Sequence, residues 1–192
     1  MCDLSMFNGL LTGAETSIIV ALGCLATAMV LNGGFFSAPG SPVPLGFAAA
    51  ASAAAFVLIG TAMASLDEYA SCKGSLGSCL GSYDSLKNSL LFLSTTLAIQ
   101  AAAFVAALLM SVIPFVGVAP MSVIAFTLAS LLVSISTTLF LYEQFMKCMS
   151  EQPSSWVIGL GIIVILITAG ILISAGPAIL KAIRAFKGPK WW

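Results

Sequence analysis

Apolar positions in this chain gather into five long runs, at approximately residues 16–36, 45–66, 90–113, 121–142 and 156–180, instead of alternating with polar ones. A helix needs about 20 residues to cross about 30 Å of hydrocarbon, so the last four runs predict transmembrane helices on length alone. The first run begins beside Glu15 and is interrupted at its far end by Asn32, Gly33 and Gly34. It is expected to span as well; a re-entrant or interfacial helix is the alternative, and would leave four spans. The pattern therefore predicts an all-α integral membrane protein, a polytopic bundle in which residues 1–192 form a single membrane domain.

The junctions predict how the runs are joined. Residues 37–44 (SAPGSPVP) hold three prolines and a glycine, and residues 113–120 (IPFVGVAP) two prolines and a glycine. Such stretches cannot continue a helix and suit tight connections between neighbouring spans. The other two junctions, residues 67–89 and 143–155, are longer and polar, with Asp67, Glu68, Lys73, Asp84, Lys87, Glu143, Lys147 and Glu151.

Composition agrees with the pattern. Sixty per cent of residues are hydrophobic, 7% are charged and the mean hydropathy is +1.12, whereas soluble domains carry about 25% charged residues. Seven bases balance seven acids, so nothing attracts nucleic acid, and none is expected as a partner. The expected surroundings are the lipid bilayer and other membrane-protein subunits or further copies of the chain.

Charge also sets an expected orientation. The tail at 181–192 carries Lys181, Arg184, Lys187 and Lys190 and no acid, which the positive-inside tendency places in the cytoplasm as a basic anchor. Five spans then put the N-terminus outside, together with loops 67–89 and 143–155, and put both proline turns inside. The N-terminal flank has no basic stretch of the secretory type, so the first run is read as retained rather than cleaved. Which membrane holds the protein is not legible.

Catalytic chemistry has few carriers here. The chain has no histidine and no Cys-x-x-Cys pair, which removes Cys/His zinc sites, bis-histidine haem and histidine general bases. No catalytic, metal-binding or cofactor-binding residues are assigned. Asp67 and Glu68 are adjacent, so on a helix they point in different directions and read as a solvated helix end. No acid is expected deep inside a span, which disfavours proton-coupled mechanisms. Cys72 and Cys79 share one external loop with Gly74 and Gly77 between them and are the expected disulfide, with Cys148 in the other external loop as a rival partner. Cys24 reads as a small buried hydrophobe.

One run raises a sharper question. Gln100 stands inside LFLSTTLAIQAAAFVAALLM, residues 91–110. If the third and fourth runs form an antiparallel hairpin centred on the turn at 113–120, then Ser94, Thr95 and Thr96 face Ser136, Thr137 and Thr138 at equal depth. Gln100 then falls near Ser134, with Ser130 a turn further in. An interhelical polar layer is expected, with Gln100 hydrogen-bonded across it. Such bonds contribute about 0.6 kcal/mol each, and hydroxyls in membrane helices also bond to their own preceding carbonyls. The rival reading of the layer is a hydrated path.

Residues 46–65 are Ala, Gly, Ser or Thr at most positions, which lets another helix approach closely. Taken together, these features predict a non-catalytic accessory or scaffold subunit within a larger membrane assembly. A channel or carrier for a small neutral or apolar solute is the alternative.

Overall fold

The computed structural model describes residues 2–110 and 118–186. Five long helices make up these residues: α1 (Ser5–Leu31), α2 (Pro42–Lys73), α3 (Leu80–Met110), α4 (Val118–Cys148) and α5 (Ser155–Phe186), with single 3₁₀ turns at Ala38–Gly40 and Gly77–Cys79. All five are long and apolar enough to cross a membrane. The protein is thus an all-α, multi-pass integral membrane bundle. At 27 to 32 residues each, the helices are about 40 to 48 Å long, so they extend past the hydrocarbon on at least one side.

Helix ends follow local chemistry. Pro42 opens α2 at a position where its missing N–H costs nothing, and Gly74, at φ 71°, ends it in a conformation that side chains resist. Asn32 turns the chain after α1: its side-chain amide donates to the Ala28 carbonyl and to the Ser41 hydroxyl, tying the end of α1 to the start of α2.

The first helix departs from expectation. It begins at Ser5 and not near residue 16, because Asp3 accepts hydrogen bonds from the Ser5 amide and hydroxyl at 2.9 and 2.6 Å and stabilises the exposed N–H end. Those two bonds also hold the Asp3 carboxyl below the usual carboxylate range. Residues 5–15, left outside the first run by the sequence reading, are therefore part of the helix. The last residues of the third expected span, 111–113, and most of the proline turn at 113–120 lie outside the described residues, as do Lys187 and Lys190.

Consecutive helices pack side by side, and α5 closes back onto α1, so the five form a ring. Its centre is filled. On α1, Leu4, Phe7, Leu11, Ala14, Ile18, Ala21, Leu25 and Ala28 recur at alternating spacings of three and four and are all buried, the spacing of one core-facing stripe. All but Ala21 join Leu45, Ile59, Leu66, Leu97, Phe104, Leu128, Leu131 and Tyr142 in a single apolar cluster. Against α4, α5 approaches so closely that a Cβ on Gly161 would come within 2.5 Å of Leu139 Cδ1.

Candidate functional site: the disulfide-clamped end and the buried polar groups

Two disulfides close one end of the bundle. Cys2 pairs with Cys72 and Cys79 with Cys148, at Cα–Cα distances of 5.7 and 5.8 Å. A disulfide was expected here, but the Cys72–Cys79 pairing is replaced. The start of α1 is bound to the end of α2, and the start of α3 to the end of α4. Sequence reasoning overlooked Cys2 because it assigned the first helix to start too late to bring residue 2 beside this loop. Cys24 remains a free, half-buried thiol on α1.

Around the disulfides lies a layer of polar and aromatic side chains. Tyr142, fully buried, donates its phenol proton to Asn8 Oδ1 at 2.8 Å and accepts the Ser154 amide at 2.8 Å, joining α4, α1 and the start of α5. Phe7 lies against the Tyr142 ring, and Phe145 against both Tyr69 and Tyr83. Lys87 donates to both Asp67 oxygens at 2.8 Å, and Tyr83 donates to the same carboxylate, linking α2 to α3. Both charged partners are over two-fifths exposed, so the pair fixes geometry more than it stabilises. The Asp67 carboxylate is thus engaged by both Lys87 and Tyr83.

The hydroxyl layer is only partly what the sequence suggested. Ser94 and Thr95 donate to the Leu91 carbonyl, Thr96 to Phe92, Ser134 to Leu131, Ser136 to Leu132 and Thr137 to Val133. Each bonds within its own helix. Thr95, Ser136 and Thr137 are exposed on the lateral surface, and Ser130 is half-buried. Among the described residues, a buried hydrogen bond crosses from α3 to α4 between Ser89 and Thr138 at 2.6 Å; Ser89 was not singled out from sequence.

Register explains the difference. Cys79 pairs with Cys148, and ten residues further along α3 Ser89 meets Thr138, ten residues back along α4. Continuing by eleven residues brings Gln100 level with Thr127, not with Val133 or Ser134. Gln100 is 1% exposed, as expected for a group kept from lipid, but its Oε1 has no hydrogen-bond partner among the described residues. Thr127, beside it in depth, donates to its own Ile124 carbonyl. The expected bond from Gln100 to the Ser130–Ser134 level is not formed.

A second buried polar group was missed. Glu15 is 4% exposed, and its Oε2 is buried without a partner among the described residues. It lies on α1 two turns below Asn8, and since Asn8 meets Tyr142, Glu15 lies level with about Ile135 on α4. An acid thus stands well inside the bundle, contrary to the expectation that none would. The late helix start concealed it.

Comparison with protein-family models, with curated proteins and with solved structures finds no match.

Proposed function

We propose that the chain is a non-catalytic scaffold or accessory subunit of a membrane assembly, held with its disulfide end in an oxidising outer compartment and its basic end in the cytoplasm. One observation carries the first part. Most of the hydroxyls that would line a hydrated path are bonded to their own helices, while the centre of the ring is filled by apolar and aromatic side chains. Cavities such as those of about 430 and 470 Å³ lie between neighbouring helices, α3 with α4 and α1 with α5, rather than along the ring axis. Four of the five cysteines are held in disulfides, which supports a structural use of sulfur over a reactive one.

Two independent features support the orientation. Disulfides persist in oxidising compartments, and all four bonded cysteines lie at one end. Lys181 and Arg184 belong to the last turns of α5, at the other end, where cationic residues favour the cytoplasmic side.

Reconstitution tests the function directly. Vesicles containing the protein should release glycerol and urea no faster than empty vesicles; saturable release that a Gln100→Leu change abolishes would favour the carrier reading. For orientation, Ser75→Cys in a Cys24→Ser background should react with an impermeant maleimide on intact cells. Reaction only after permeabilisation would reverse the threading.

A further inference from the structure

We propose that the groove between α1 and α5, at the end opposite the disulfides, binds one acyl chain of an anionic phospholipid whose headgroup is held by Lys181. This inference does not depend on the scaffold reading. The groove has a volume of about 470 Å³ and is almost wholly apolar, with Met29, Val30 and Gly33 on one side and Ile167, Gly170 and Ser174 on the other. Its depth comes from missing side chains: a Cβ at Gly33, Gly34 or Gly170 would meet nothing within 4 Å. Ser174, its one hydroxyl, is already bonded to the Ile171 carbonyl at 2.9 Å and makes no polar demand. Such a space in lipid is filled by a flexible hydrocarbon chain.

Charge selects the lipid. Ile167, Gly170, Ser174 and Lys181 are spaced three, four and seven apart along α5, so at 100° per residue they share one face of the helix. Lys181, which is exposed, lies about 10 Å beyond Ser174 and about 21 Å beyond Ile167. The second distance matches half of a bilayer about 40 to 45 Å thick including headgroups. A chain anchored at the level of Lys181 therefore reaches the inner end of the groove near the bilayer midplane. Every acid except Glu15 is placed by the sequence and the helices at the disulfide end, so the basic end presents cations with no competing carboxylate. Basic clusters beside grooves between transmembrane helices recognise anionic headgroups, at about 1 kcal/mol per Lys or Arg.

Native mass spectrometry of the full chain, released from detergent with equal amounts of phosphatidylglycerol and phosphatidylcholine, tests this. One basic contact predicts about a fivefold preference for retained phosphatidylglycerol, ~1 kcal/mol. Lys181→Gln should bring the preference close to one while leaving phosphatidylcholine retention unchanged. Gly170→Leu, at a position where a Cβ meets nothing within 4 Å, should reduce retention of both lipids at an unaltered melting temperature. Equal retention of the two lipids by the parent overturns the proposal, as does a preference untouched by either change. A dimer that Gly170→Leu dissolves would assign the groove to a second copy of the chain instead.

Discussion

Gln100 and Glu15 each bury an oxygen that has no partner among the described residues. An unmatched buried acceptor loses its water without compensation, at about 1–3 kcal/mol. Gln100→Leu should therefore raise stability, by about 1 kcal/mol, measured by thermal melting in detergent. A fall of that size would mean the carboxamide makes a bond that matters in the membrane. Glu15→Leu should raise stability by about 1–2 kcal/mol and Glu15→Gln change it little. If the leucine variant is the less stable one, the carboxyl is held by a water, an ion or a partner subunit. The burial of Gln100 was legible in sequence, because a carboxamide cannot face lipid without loss. Glu15 was not, because TGAETS reads as a polar flank until Asp3 is seen to start the helix ten residues before Glu15.

At the scale of elements, the helices were legible and their mutual registers were not. Run length against bilayer thickness is a strong constraint, and all five runs became helices long enough to span. Register depends on where two helices begin, and the proline turn proved a poor centre. Moving the partner of Gln100 from Val133 to Thr127 is a shift of six positions, about 9 Å. That shift took the Ser-Thr-Thr clusters out of contact and brought Ser89 to Thr138. The same register fixes the disulfides. Non-reducing peptide mapping should recover Cys2 joined to Cys72 and Cys79 joined to Cys148; a Cys72–Cys79 peptide would contradict the helix ends described here. Between α4 and α5, Gly161→Leu should cost about 1–3 kcal/mol by driving Leu139 out of its contact. Gly159→Leu, where a Cβ meets nothing within 4 Å, is the matched control.

At the scale of the whole molecule, the ring is asymmetric from end to end. One end is cross-linked twice and carries the aromatic layer around Tyr142 and Phe145; the other lacks disulfides, opens a groove between α1 and α5 and leads into the basic tail. Large apolar side chains such as Phe126, Val133, Phe140, Trp156, Leu166 and Ile173 point outward along the lateral surface, where lipid or neighbouring helices cover them. A filled centre with an apolar perimeter suits a body that others pack against. The most direct test is the mass of the intact particle purified from its native membrane in mild detergent. The account predicts a particle heavier than one 19.7 kDa chain, with other subunits or further copies present in fixed ratio. A homogeneous single chain, stable alone under conditions that preserve other membrane complexes, would contradict it.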